Sequence, residues 1–177
     1  MTHAPADKAS LLDRIRAARA ALEEAIGRLD EAELTRPGAD GWSTKDHLYH
    51  IAAWLRKTTA VLNGRPGHEV LGVTYAMFAA GDEDGINAIL QQRSAPLPLA
   101  EVLSEFRATH AAILSYIEEQ PEARLHEPYD PTDPGDPDRV IDAIAGTTYE
   151  HDEEHLGWIR RRMTKATTDD GRRTTDV

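Results

Sequence analysis

Leu48, Ile51, Ala52, Leu55, Thr59 and Leu62 recur at three- and four-residue intervals, and His50, Trp54 and Val61 form a second stripe beside them. Residues so spaced share one face of a helix but scatter over both faces of a strand, so the segment after Gly41-Trp42 reads as a helix. Together the stripes cover more than half its circumference, which marks a deeply packed helix. Ser43 suits its N-cap, with Asp46 as a weak capping-box partner, and Asn63-Gly64 stops it. Three other stretches repeat the pattern. From about Lys8 to Leu29, Leu11, Ile15, Ala18, Leu22, Ala25 or Ile26 and Leu29 share a face, while Arg14, Arg16, Arg19, Glu23 and Arg28 fall elsewhere. From Pro98 to Pro121, Leu99, Val102, Leu103, Phe106, His110, Ile113 and Ile117 align. From about Asp138 to Met163, Ile141, Ile144, Ala145, Ile159 and Met163 define the fourth stripe. Period-two alternation and β-branched runs are almost absent. The expected fold class is all-α, a four-helix bundle with a long irregular connection, about 65 to 97, between the second and third long helices. That connection has room for a short helix around Ile86 to Gln92. The Pro-Asp run Tyr129 to Asp138 can be neither helix nor central strand.

A length of 177 residues suits one domain with one core. The balance of 31 acidic to 20 basic residues, net −11, repels phosphate backbones and argues against nucleic acid as a partner. Cysteine is absent, which excludes disulfides, thiolate catalysis and thiolate-bound zinc. No apolar run approaches the ~20 residues of a membrane span and no leader opens the chain, so no membrane role and a cytoplasmic location are expected. Eight histidines remain as soft metal ligands and neutral-pH acid–base groups.

Two of those histidines lie in the run Tyr149-Glu150-His151-Asp152-Glu153-Glu154-His155-Leu156-Gly157-Trp158. At about 100° per residue, His155 falls in the middle of the fourth stripe and His151 near its edge, with Thr148 and Asp152 also inward. Glu150, Glu153 and Glu154 point away with Arg160 and Arg161. Inward polar groups cost roughly 2–7 kcal/mol each unless paired or bound to a cation. Imidazoles four residues apart stand about 6 Å from one another on one face, which suits two ligands of one ion, and hydrogen-bonded core histidines are the competing explanation. The acid follows the first histidine at a register different from that of the helical zinc-protease signature, so a protease is not inferred. A third ligand belongs on another helix. His50, beside Trp54, is the first candidate and His47, nearer the polar side, the second. His110 reads either as a satisfied core residue or as a ligand or catalytic group. His3, His68 and His126 fall in termini or loops.

"GWSTKDHLYHIAAW" and "TTYEHDEEHLGWIR" resemble segments of the DinB/YfiT-like superfamily of four-helix metalloproteins, and "INAILQQRSAPLPLAEVLSEFRATHAAIL" with "IAGTTYEH" resembles its ClbS/DfsB branch. The likeness spans about residues 8 to 163, implying one DinB-like domain over 1–163; the polar composition of the residues beyond, 164–177, reads as a disordered tail. The likeness implies one divalent metal held by His50, His151 and His155. Asp152 departs from the aromatic residue the branch has after the first helix-four histidine. An acid there can orient a histidine, ligate, or meet an arginine.

Three functions compete. The first is a metal-dependent hydrolase or transferase acting on a small electrophile, as the detoxification and self-resistance roles in the branch imply. Zinc, nickel or iron(II) would suit its imidazoles, with Asp152 or Glu154 as proton acceptor and Trp54, His110 and Tyr149 against the substrate. The second is a sequestering protein whose pocket is lined by Trp42, Trp54, Trp158 and Tyr149. The third is a bundle without metal, its histidines paired with Asp152 and Thr148. The wide apolar coverage of the second helix permits a homodimer and fits a central bundle position equally well.

Overall fold

The periodic stretches are helices in the computed structural model of the chain, which describes residue 5, residues 7–129 and residues 138–170, with side chains described as far as Arg162. In order the helices are α1 (Lys8–Ile26), α2 (Glu31–Thr35), α3 (Thr44–Leu62), α4 (Gly67–Leu71), α5 (Tyr75–Ala79), α6 (Glu83–Ser94), α7 (Leu99–Glu119), α8 (Val140–Thr147) and α9 (Tyr149–Asp170), with a 3-10 turn at Glu122–His126 before α8. Among the described residues the only β pairing is an isolated bridge between Pro128 and Arg139, so the fold is all-α. No helix of the described residues is long and apolar enough to cross a membrane.

The long bundle helices pack chiefly as α3 on α7 and α1 on α9. α3 also touches α4, α6, α8 and α9. Every residue from 43 to 53 is buried, and this central position within one chain accounts for the wide apolar coverage of α3. The core is two clusters. One gathers Leu11, Ile15, Leu55, Ile113, Ile117, Ile141, Ile144 and Tyr149. The other gathers Leu22, Leu48, Ile51, Leu90, Phe106, Leu156 and Ile159. On α1 the clusters change over between Ala18 and Leu22, and on α9 between Tyr149 and Leu156. Arg19, Asp152 and His155 occupy those intervals and are themselves buried.

The connection between α3 and α7 is long, as expected, but it holds α4, α5 and α6. The fourth long helix is interrupted. Thr148 adopts φ −116° and ψ −100°, ending α8 and beginning α9. Thr147 Oγ1 donates to Ala143 O at 2.8 Å and Thr148 Oγ1 to Ile144 O at 2.5 Å. Hydroxyls returned in this way to carbonyls four residues back bend helices. The backbone of α9 continues helically to Asp170, into residues expected in the tail, and residues 171–177 lie outside the described residues. Most of the Pro-Asp run, 130–137, also lies outside them, as do His3 and the side chain of Met163. Arg19, expected on the polar face of α1, is buried.

Candidate metal centre

The start of α3 is fixed before any histidine is placed. Ser43 caps it, its hydroxyl meeting Asp46 N at 3.1 Å, while Asp46 Oδ2 accepts from Ser43 N at 2.8 Å. Ser94, at the end of α6, donates its hydroxyl to the other Asp46 oxygen. Lys45 donates to Ala95 O at 3.1 Å and Leu97 O at 3.0 Å, neutralising the carbonyls just beyond α6. α3 is thereby locked to α6, and His47, His50 and Trp54 follow on successive turns of one face. Before the helix, Gly41 takes the left-handed conformation at φ +82°. The turn places Trp42, whose carbonyl accepts from Gly38 N at 2.7 Å and Arg162 Nη1 at 2.5 Å.

Across from α3, the first turns of α9 present His151 and His155. His50 Nε2 lies 2.9 Å from His151 Nε2, and His155 Nε2 lies 3.0 Å from the same atom. The three residues place a ligand atom each within 4.8 Å of one another. An imidazole nitrogen has a single in-plane site, holding either one proton or one lone pair, so His151 Nε2 cannot hydrogen-bond both neighbours. His50 Nδ1 and His151 Nδ1 are buried without a partner among the described residues. A cation satisfies what hydrogen bonding cannot. Tetrahedral zinc with bonds of about 2.0–2.1 Å sets its nitrogens about 3.3–3.4 Å apart, a few tenths of an ångström wider than the spacing here. The donor set therefore fits one divalent ion.

Electrostatics keep these rings neutral, as ligation requires. Burial lowers His50 to about 3, with repulsion from His151 and His47 adding to it. It lowers His151 to about 4, helped by the Arg19 charge. His155 is pushed down furthest, again mainly by burial. His47, also lowered to about 4 by burial, lies with its Nδ1 3.0 Å from His155 Nδ1.

The histidines form one wall of a cavity of about 620 Å³. Trp42, Trp54 and Trp158 supply apolar faces, and Trp54 Nε1 donates to Asn87 Oδ1 on α6 at 3.0 Å. Asp40, Glu83, Asp84 and Glu154 also line it, with no lysine or arginine among the described lining residues. Glu154, expected to point away, borders this cavity.

Three of the residues expected at the site stand elsewhere. Asp152 is 1% exposed and gives both oxygens to Arg19, at 2.8 Å from Nε and 3.1 Å from Nη2. Arg19 completes its coordination on Phe106 O at 3.1 Å. Burial raises the Asp152 carboxyl and Arg19 opposes that rise. Of the three roles open to this acid, meeting an arginine is the one its contacts match. Tyr149 is fully buried in the core with the Arg14 guanidinium 3.8 Å over its ring. His110, lowered to about 4 by burial and the Arg19 charge, sits on α7 away from the cavity lining. His47, expected nearer the polar side of its helix, is 2% exposed. Its i, i+3 spacing from His50 was the available signal.

Fold and site together define a helical-bundle protein in which two long helices bring three histidines to one point. The chain belongs to the DinB superfamily, whose family model matches residues 7–159. No curated protein sequence matches it. Among solved structures, a structural-genomics protein from Streptococcus pneumoniae is similar with a TM-score of 0.76 and 15% identity, covering 93% of this chain and 94% of that one. The sibling lethal factor precursor DfsB follows at 0.71 and 16%, covering 92% and 98%. The colibactin self-resistance protein ClbS, solved in complex with double-stranded DNA, gives 0.64 and 11%, covering 90% and 96%. At these identities the likeness is one of fold.

Proposed function

We propose that the chain binds one divalent metal ion through Nε2 of His50, His151 and His155 and acts on a small electrophilic molecule in the adjoining cavity, by hydrolysis or group transfer. The observation that carries this is the approach of His151 Nε2 to two other ring nitrogens at 2.9 and 3.0 Å. Zinc, nickel and iron(II) all accept imidazole ligands. Such an ion would lower the pKa of a bound water or polarise the electrophile. The chain supplies the rest. The indoles of Trp42, Trp54 and Trp158 offer faces for an apolar body, with Asn87 fixing the Trp54 ring. Proton acceptance is assigned to Glu154, which borders the cavity next to His155 in the chain, and Asp152 serves the bundle through Arg19. Tyr149 and His110, in this account, support packing rather than substrate.

The acidic lining favours a neutral or cationic molecule over phosphate or duplex DNA. Because ClbS was solved with DNA, that preference is worth measuring: duplex DNA at physiological salt should leave fluorescence anisotropy unchanged, and saturable binding would reverse it. The physiological role suggested by the family branch is detoxification or self-resistance.

The test is metal analysis of protein purified without an affinity tag. One equivalent is expected in the wild type and none in His155→Ala; full metal content in that variant would remove the assignment. A second reading, sequestration without turnover, draws on the same indole-lined cavity of about 620 Å³, a volume typical of small-molecule sites. Mass spectrometry separates the two, since more than one product per protein molecule rules out sequestration. Glu154→Gln should keep its metal and lose about 10²–10⁴-fold in turnover.

A further inference from the structure

We infer that His47 is a positioning residue, which fixes the tautomer and orientation of His155 as a metal ligand. The inference rests on the metal-binding reading above. His155 turns Nε2 toward His151 Nε2, at 3.0 Å, and Nδ1 toward His47 Nδ1, also at 3.0 Å. Ligation through Nε2 leaves the His155 proton on Nδ1, where it donates to His47. His47 Nδ1 then supplies the lone pair, and its own proton resides on Nε2, which is buried without a partner among the described residues.

Packing holds the acceptor in place. The His47 ring centroid lies 5.3 Å from that of Trp42, 5.2 Å from that of Trp158 and 5.0 Å from that of His155. Both histidines are 2% exposed, so water does not compete for the Nδ1–H. Of the three ligands, His155 alone has its outer nitrogen held by the described residues; Nδ1 of His50 and of His151 has no partner there. Carboxylates and carbonyls commonly do this work and raise ligand basicity. Here the neighbouring carboxylate, Asp152, is occupied by Arg19. A neutral imidazole acceptor gives His155 less electron density than a carboxylate would, so an ion held there would be the stronger Lewis acid.

The experiment compares zinc affinity, by chelator competition on tag-free protein, for wild type, His47→Phe and His47→Asn. Phenylalanine keeps a ring between the two indoles without a nitrogen. Asparagine sets its Oδ1 close to the position of the histidine Nδ1. The expected result is zinc binding weakened about 10- to 100-fold in His47→Phe and within about threefold of wild type in His47→Asn. A slowly exchanging His155 Nδ1–H in the proton–nitrogen NMR spectrum of the zinc forms should persist in wild type and His47→Asn and vanish in His47→Phe. Equal affinity of His47→Phe and wild type would overturn the role, as would equal weakening of both variants. Should His47→Phe not fold, His47→Asn decides: retained affinity with a protected Nδ1–H supports the role, and loss of either refutes it. Failure of the wild type to take up zinc would instead strike the metal reading itself, and this inference with it.

Discussion

Asp152 and His151 are adjacent in α9, yet one side chain meets an arginine of α1 and the other meets histidines. About 100° of helical rotation separates a structural ion pair from a ligand. Removing one partner leaves a buried charge unmatched, so Asp152→Ala should destabilise the protein by about 3–5 kcal/mol in urea denaturation while zinc affinity changes little. Zinc affinity falling in step with His155→Ala would place Asp152 at the metal instead. Replacing both partners, Arg19→Met with Asp152→Leu, should recover most of the stability. Arg19 was hidden from a sequence reading because a long side chain on the edge of an apolar stripe can bury its stem and still find polar partners. His50, His151 and His155 were more legible, each lying on or beside an apolar stripe where an unpaired polar ring is expensive.

At the level of elements, α3 carries the site because its first turn is tied to the end of α6. Asp46 accepts from the Ser43 backbone and hydroxyl and from Ser94. Asp46→Ala removes a capping box and the Ser94 tie between α3 and α6, leaving the Ser94 hydroxyl on Gln91 O alone, and should cost about 1–3 kcal/mol. Hydrogen exchange should show the added opening concentrated at the start of α3; uniform loosening across the bundle would contradict the assignment. The Ser43–Asp46 cap and the extent of α3 could be read from residue types alone. α4 and α5 could not, since helices of five residues are too short to show a period. The break at Thr148 also lacked a marker of its own, because threonine back-bonding leaves no signal as plain as proline.

For the whole molecule, five histidines set the response to acid, His47, His50 and His155 buried and His110 and His151 half-buried. His47, His110 and His151 are lowered to about 4, His50 to about 3, and His155 is depressed as well. The unfolded chain takes up protons below about pH 6.5 that the folded chain refuses. Metal-free stability should therefore be complete above that pH and fall as pH drops toward 4, by up to about 1.4 kcal/mol per pH unit for each histidine. Denaturation of chelator-treated protein checks the sign, and His110→Gln, away from the cluster, should reduce the slope by about one proton. Unchanged stability from pH 7 to 4.5 would show that the rings titrate normally.

In the proposed function, three histidines from α3 and α9 hold one ion. An anomalous difference map at the zinc edge, from crystals grown with one equivalent of zinc, tests it most directly. The expected map has a single peak about 2.0–2.1 Å from Nε2 of His50, His151 and His155, with Asp152 still on Arg19. A peak held by other residues, or no peak between α3 and α9, would contradict it.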